Sequence, residues 1–187
     1  MSNYSKATNF ATKDTLAHGN SGKLIKGTEL DNEFNAIASA ISSKPDTGLI
    51  KQVITFSTDV KTSTTGTTFV NSAVTATITP TSSSSKILVL VSASQLIYNY
   101  TTEMDTRIVR DSTQVAGSYK IFKAWLPSEG TSKELWVPTA MAVLDSPAST
   151  SSITYTVQFK CQGYTGGSVS YGSNDTDAST ITLVEIL

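Results

Sequence analysis

A short pattern of apolar positions dominates the N-terminal part of the chain. Between Lys26 and Ile41 the apolar residues recur at spacings of four, three and four, the periodicity of one narrow stripe on a coiled-coil helix. The stripe consists of Leu30, Phe34, Ile37 and Ile41. A helix this short is marginal on its own in water, so we expect the stripe to pack against partner helices. The alternative is that it packs on the β part of its own chain.

Signals at both ends bound this helix. Thr28 is placed to cap its N-terminus, and Asp31 follows three residues later in the capping-box position. Pro45 pushes the residue before it out of the α region. We therefore predict a helix that begins near Thr28 and ends by Lys44.

Alternation with a period of two begins after Gly48 and continues to the last residue. The run Ile87–Val91 is apolar on both faces, which predicts a central strand or a strand whose outer face meets another subunit. Nine strands are predicted: 50–57, 69–79, 87–98, 106–109, 114–116, 135–144, 153–162, 169–171 and 179–187. Short strands in this number predict a β-sandwich or jelly roll. The last strand is apolar to its end, so we expect it to be fixed in a sheet or a subunit interface.

The chain therefore divides into three parts. Residues 1–25 are polar and lack periodicity, which predicts an extended arm that becomes ordered against a partner. Residues 26–48 are the helix and a linker, with a role in oligomerisation. Residues 49–187 are the β domain. The predicted fold class is mainly β, with an antiparallel sandwich or jelly roll preceded by the arm and the coiled-coil helix.

Composition removes several classes of function. The 187 residues carry a net charge of −1, and their basic residues are scattered, so nothing favours nucleic-acid binding. No apolar run is long enough to span a membrane, and the first residues lack the apolar core of a signal peptide. We expect a soluble protein made in a cytoplasm. The single cysteine, Cys161, lies in an apolar alternating run, where we expect it to be a buried small side chain.

Candidates for chemistry are few. The one histidine, His18, lies in the arm, where a role in a catalytic triad or a histidine metal site is disfavoured. Glu103 and Asp105 are two residues apart on a predicted strand, which places both carboxylates on one face, as in a glycosidase pair, although solvated edge residues show the same pattern. The run 174–177 resembles part of a calcium loop but lacks the other ligands. We expect no metal, no cofactor and no enzymatic activity.

Aromatic and amide residues between the predicted strands favour recognition instead. Such side chains, next to glycines, stack on sugar rings and hydrogen-bond to hydroxyl groups. The candidate receptor-binding residues are Tyr98, Tyr100, Trp125, Tyr164, Tyr171, Asn174 and Asp175. For Trp125 a role as a core or interface anchor is an equal alternative. For Trp136, between Leu135 and Val137, that anchor role is the preferred interpretation.

Several segments resemble a known class of protein. Three of them, 9–14, 19–23 and 26–34, look like the N-terminal region of tail fibre proteins of short-tailed, podovirus-type bacteriophages. Three others, 77–80, 86–89 and 179–186, are similar to the distal β domain of the same class. Together the segments span nearly the whole chain, although no long shaft or fibrous repeat separates helix and β domain.

The resemblance implies a homotrimeric fibre in the virion tail. Its arm would dock on the phage tail or another virion protein, its apolar stripe would be the trimer seam, and its β domain would bind a glycan or receptor on the host surface. The residues implied in tail attachment are Asn9, Phe10, Lys13, Lys23 and Lys26. An adaptor, a head fibre and a capsid decoration protein remain alternatives. A carbohydrate-active enzyme that uses Glu103 or Asp105 is a further alternative, of a different class.

Overall fold

The computed structural model describes residues 4–42, 49–98, 101–125, 133–163, 167–172 and 178–187. The chain separates into two compact units, Met1–Gly48 and Leu49–Leu187. We call them the helical unit and the β unit, and each is described by itself.

The helical unit contains α1 (Ala11–Asp14), a 3-10 turn (Ser21–Lys23) and α2 (Gly27–Ser42). The predicted helix is confirmed, but its predicted cap is wrong. The Glu29 carboxylate accepts the backbone N–H of Lys26 at 2.9 Å, so it makes the contact assigned to the capping box of Thr28 and Asp31. Because Gly27 is already helical, Glu29 occupies the third helical position, from which a carboxylate reaches back to the cap. Among the described residues, no helix is long and apolar enough to cross a membrane.

Residues 4–25 do not form an extended arm. They contain α1 and a 3-10 turn, and they make contacts with α2 of the same chain. Lys13 pairs with Glu29 at 2.8 Å and donates to the backbone carbonyls of Gly22 and Leu24. Glu33, the buried residue of α2, accepts the backbone N–H groups of Ala7 and Thr8 at 3.0 and 2.8 Å. The expectation that this segment becomes ordered only against a partner is therefore corrected.

The apolar stripe of α2 is largely open to solvent in the single chain. Phe34 is 64% exposed, Leu30 and Ile41 are also exposed, and Ile37 is half-buried. An uncovered apolar stripe leaves a surface for partner helices.

The β unit has eleven strands among its described residues. They are β1 (Ile50–Thr58), β2 (Thr62–Thr64), β3 (Val70–Ile78), β4 (Lys86–Tyr98), β5 (Thr101–Arg110), β6 (Thr113–Gln114), β7 (Lys120–Trp125), β8 (Glu134–Asp145), β9 (Ile153–Gly163), β10 (Ser168–Tyr171) and β11 (Ser179–Ile186). The nine predicted strands are all present. The prediction missed β2, which has no apolar residue, and β7, which is short and precedes a proline-containing segment.

The strands form two antiparallel sheets. Sheet A has six strands, in which the long strand β4 pairs with β10 and β11 along one edge and with β8 along the other, while β1 and β2 pair outside β11 and β10. Sheet B has five strands, with β9 and β5 at its centre, β3 outside β9, and β6 and β7 both against β5. This arrangement confirms the predicted mainly β, sandwich-like fold.

The core lies between the inward faces of these sheets. From sheet A it receives Ile87, Val89 and Leu183, and from sheet B it receives Tyr155 and Phe159, all fully buried. Cys161 is also buried there, as predicted, and burial raises the pKa of its thiol. Alternate residues of β3 and β9 face outward, where the hydroxyls of Thr75 and Thr156 lie 2.9 Å apart.

Glu185 of β11 is a charged side chain that is fully buried. Its carboxylate accepts hydrogen bonds from the Gln52 amide at 2.6 Å, the Ser85 hydroxyl at 2.6 Å, and both the backbone N–H and the hydroxyl of Thr81 at 2.6 and 2.7 Å. Burial acts to raise the pKa of Glu185, but these donors outweigh it and lower the pKa to about 2. The network joins β11 to β1 and to the turn between β3 and β4.

A second network links the two sheets at the same end. The Asp145 carboxylate of β8 accepts from the Arg110 guanidinium at 2.6 Å and from the Tyr155 hydroxyl at 2.7 Å. Burial and the Asp145 carboxylate raise the pKa of the Tyr155 phenol. Sheet B is thereby tied to an edge strand of sheet A.

Candidate receptor-binding end of the β unit

Strand register places three chain connections at one end of the β unit. In sheet A, Tyr98 at the end of β4 lies opposite Glu134, where β8 begins, and opposite Ser168, where β10 begins. In sheet B, Thr101 at the start of β5 lies opposite Trp125, where β7 ends. Gly163, the last residue of β9, lies opposite Thr102. The chain therefore passes from one sheet to the other three times at this end, which we call the tip.

The strands that flank three of the four predicted recognition segments end at the tip, whereas the segment that begins at Tyr171 follows the other end of β10. Tyr98 is half-buried there, at the end of β4. Tyr100 and Tyr164 lie outside the described residues, as does the side chain of Trp125, but the strands that flank them all end at the tip. The spacing of these segments in the sequence does not predict that they are close in space, because more than a strand length of chain separates one from the next. Their flanking strands reach the same end of the β unit only through the pairing of β4, β5, β8 and β10.

Trp136, which the sequence interpretation assigned to a core or interface anchor, has an exposed aromatic ring. It lies on the outer face of sheet A, three residues into β8, and is 40% exposed. Its indole N–H donates to the Glu134 carboxylate at 3.2 Å, and the Lys61 ammonium group lies 5.8 Å from its ring centre. The carboxylate thus orients the indole, and the ammonium group lies over its ring.

Three other candidates have different outcomes. Tyr171 is fully buried and stacks on Phe159 with ring centres 5.8 Å apart. The prediction that Tyr171 binds a receptor is therefore wrong, because β10 turns this side chain into the core. Burial also raises the pKa of its phenol. Asn174 and Asp175 lie outside the described residues.

The two carboxylates considered for glycoside cleavage lie on the outer face of sheet B and are ion-paired. Glu103 lies 3.1 Å from the Lys123 ammonium group, and Asp105 lies 3.1 Å from that of Lys160. The Tyr119 hydroxyl donates to the same oxygen of Asp105, and this bond, together with burial, raises the pKa of Tyr119 to about 12. Asp105 is fully buried, so a substrate could not reach it without rearrangement.

A separate surface of interest is the outer face of sheet A. Direct cross-strand partners form three rows across β1, β11, β4 and β8. The rows are Val53–Val184–Leu88–Leu144, Thr55–Thr182–Leu90–Ala142 and Ser57–Thr180–Ser92–Ala140. No charged residue is among them, and a shallow hollow of about 290 Å³ lies beside Leu90 over the small residues. We call these rows the apolar face.

The apolar face is uncovered in the single chain. Val53 is 57% exposed, and Leu90 and Leu144 are exposed as well. This agrees with the prediction that the run Ile87–Val91, apolar on both sides, is a central strand, and it leaves the outer side of that strand open. The face thus combines exposed apolar side chains with the hydroxyls of Ser and Thr and carries no charge, which makes it a candidate interaction surface.

The residues implied in tail attachment are mostly engaged within the helical unit. Lys13 is bound to Glu29 and two carbonyls, and the Lys23 ammonium group donates to the carbonyl of Leu16 at 3.2 Å. The backbone N–H of Lys26 is bound by Glu29. Asn9 is exposed, while Phe10 is half-buried. The two lysine side chains therefore shape the segment through internal contacts.

Glu33 provides a test of how residues 4–25 are held. In Glu33→Gln the amide retains one acceptor oxygen but loses the charge, and we expect hydrogen exchange at Ala7 and Thr8 to accelerate about tenfold, since bonds to charged groups are worth ~1.5–3 kcal/mol. Exchange measured by NMR or mass spectrometry checks this. Asp31→Asn, an exposed position two residues earlier on the same helix, is the matched control and should leave both amides unchanged. Equal exchange in the wild type and Glu33→Gln would contradict the assignment.

Comparisons with known proteins give limited information. No family model matches the chain, and no curated protein matches it in sequence. Solved structures of the VP2 protein of infectious bursal disease virus are similar over 73% of this chain. A subviral particle shows 14% identity and a TM-score of 0.35, and T=1 particles of a mutant VP2 show 11% identity and a TM-score of 0.34. The matched part covers 37% and 36% of those chains. Values this low establish neither a family nor a function.

Proposed function

We propose that this chain is a structural virion protein, a short homotrimeric tail fibre of a short-tailed bacteriophage. The helical unit attaches it to the tail, and the tip of the β unit recognises a glycan or receptor on the host cell. It acts by binding and has no enzymatic activity. The support comes from the sequence resemblance together with one structural observation, the convergence at the tip of the strand ends that flank three of the four predicted recognition segments.

The arrangement of the two ends of the β unit is consistent with this role. The backbone N–H of Leu187 donates to the carbonyl of Leu49 at 3.1 Å, so the chain enters and leaves the β unit at the end opposite the tip. We call this end the base. A fibre head needs this separation, because the surface that meets the host must be distant from the segment that leads to the particle.

Self-association is supported by two uncovered apolar surfaces, the stripe of α2 and the apolar face of sheet A. Both lack charge, so each can be buried against a copy of itself without leaving an unpaired charge in the interface. Four apolar residues per helix bury little area compared with a stable interface. The β unit therefore contributes most of the subunit contact, and the helices set the register.

Adaptor, head-fibre and capsid decoration roles are alternatives that share the same fold. Immunogold labelling of purified particles separates them, since a tail fibre is labelled at the tail and a decoration protein over the capsid.

A carbohydrate-active enzyme is less well supported, because Glu103 and Asp105 are each paired with a lysine. Release of reducing sugar from host polysaccharide that is lost in Glu103→Gln would favour the enzyme.

Recognition at the tip predicts that Trp136→Ala weakens adsorption. A central aromatic residue at an interface contributes ~2 kcal/mol or more, so we expect binding of the purified protein to host cells to fall at least tenfold. Phe56→Ala is the matched control, because Phe56 is 41% exposed but lies on β1, away from the tip. Cell binding by fluorescently labelled protein measures the effect. Unchanged binding by Trp136→Ala would contradict recognition at this surface.

A further inference from the structure

Asp105 and Lys160 are direct cross-strand partners on β5 and β9, the two central strands of sheet B. The Lys160 ammonium nitrogen lies 3.1 Å from Oδ2 of Asp105. The Lys160 side chain is only 15% exposed and the Asp105 side chain only 1%. Register and burial thus hold an amine and a carboxyl group together on strands that cannot easily move apart.

Aromatic side chains cover this pair. The Phe69 ring lies 5.0 Å from the Lys160 ammonium group, and the Tyr119 ring meets Phe69 edge to face with ring centres 6.2 Å apart. The Tyr119 hydroxyl donates to Oδ2 of Asp105. The other carboxylate oxygen, Oδ1, is buried and has no hydrogen-bond partner among the described residues. An ion pair that is buried but half-satisfied is an unfavourable way to keep two charges.

We propose that Lys160 and Asp105 condense to an intramolecular amide, an isopeptide bond between β5 and β9. A proton first passes from the Lys160 ammonium group to the Asp105 carboxylate, which gives a neutral amine and a carboxylic acid. The amine nitrogen then bonds to Cγ of Asp105. The tetrahedral intermediate loses a second proton from nitrogen and one oxygen from carbon, and these leave as water together with the proton taken up first. One C–N bond forms, one C–O bond breaks, and no oxidant or other reactant is required.

One surrounding group assists the condensation, and the burial of the pair protects its product. The Tyr119 phenol remains protonated at neutral pH, so it can donate to the oxygen that leaves. Tyr119 acts here as a positioning residue. The aromatic cover keeps bulk water from the new amide, which slows hydrolysis. The product also removes both buried charges.

The chain supplies its own comparison. Lys123 and Glu103 are also cross-strand partners on sheet B at 3.1 Å, but their side chains are 67% and 25% exposed. Because solvent reaches this pair, its charged forms are stabilised and water competes at the carbon. We expect it to remain an ordinary ion pair.

Intact-mass measurement of the denatured full-length chain tests the proposal. The wild type should be lighter than its sequence mass by one molecule of water, and fragmentation should show a branched peptide that joins the segments around residues 105 and 160. Lys160→Arg and Asp105→Ala should have full sequence mass, whereas Lys123→Arg should retain the loss. Tyr119→Phe should form the bond more slowly in a time course after refolding.

Each result decides the question. Full sequence mass of the wild type after prolonged incubation overturns the proposal, and so does a water loss that persists in Lys160→Arg, because the loss would then lie elsewhere. Since the wild-type mass and its branched peptide are decisive by themselves, a variant that fails to fold does not weaken the test. The outcome is independent of the proposed role in the virion.

Discussion

Replacing Glu185 by alanine is expected to lower the free energy of unfolding of the β unit by about 3 kcal/mol or more. The substitution leaves donors from Gln52, Thr81 and Ser85 without their common acceptor, and each buried unsatisfied group costs ~1–3 kcal/mol. Urea unfolding at neutral pH and a fixed protein concentration measures the change. Asp59→Ala, which removes an exposed carboxylate, is the control and should change stability by less than ~0.5 kcal/mol.

The same residue predicts how stability depends on acid. The pKa of Glu185 is about 2 in the folded chain and 4.5 for the unperturbed group. A lowered folded-state pKa means that the stabilisation is present above pH 4.5 and is lost as the pH falls towards 2. The wild type should therefore lose stability between these values, while Glu185→Gln, already weaker at neutral pH, should show a shallower loss. Parallel curves for the two proteins would contradict the network as the source of acid sensitivity.

The self-association proposed above predicts that Leu90→Glu is monomeric. Leu90 lies in the middle row of the apolar face, and a carboxylate buried there without a partner costs ~3 kcal/mol at each contact, which weakens association more than a hundredfold. Analytical ultracentrifugation at micromolar concentration measures the state. Val60→Glu is the matched control, because Val60 is exposed to a similar degree as Val53 but lies outside the apolar face, and it should remain assembled.

The helix stripe can be tested in the same assay. The double variant Leu30→Asp with Ile37→Asp should weaken association less than Leu90→Glu, since α2 contributes less buried area. If the double variant were monomeric while Leu90→Glu remained assembled, the α2 stripe would contribute more to association than the apolar face. The apolar face would then not be the main interface. A wild type that stays monomeric at high concentration would contradict self-association by either surface.

The sequence predicted strands well where alternation was strong. In β9, and in β3 from Val74 onward, every second residue is apolar, and these residues, among them Tyr155 and Phe159, form the buried face of each strand. The prediction failed for β2, whose Thr62–Thr64 has no apolar residue and is held by pairing with β10. No local signal in such a segment reports a partner more than a hundred residues away.

Candidate sites were harder to predict for the same reason. Tyr171 stands beside a glycine, as binding residues in loops often do, but the pairing of β10 with β4 buries it. Glu185 could be placed on one face with Ile181 and Leu183, yet its donors come from two distant segments, β1 and the turn between β3 and β4. Trp136 was interpreted as a core or interface anchor because its neighbours are apolar; those neighbours face inward while the indole faces out, which excludes the core role and leaves the interface role a prediction.

The closeness of Leu49 and Leu187 at the base has a mechanical consequence. The β1–β11 ladder lies between them, with its hydrogen bonds perpendicular to the strands. A pull that separates Leu49 from Leu187 opens this ladder from one end, one bond after another. A pull between Leu49 and the tip runs along the strands and loads the bonds of the ladder together, in shear. A head that is held at its base and gripped at its tip is thus loaded in the direction in which its sheets are strongest.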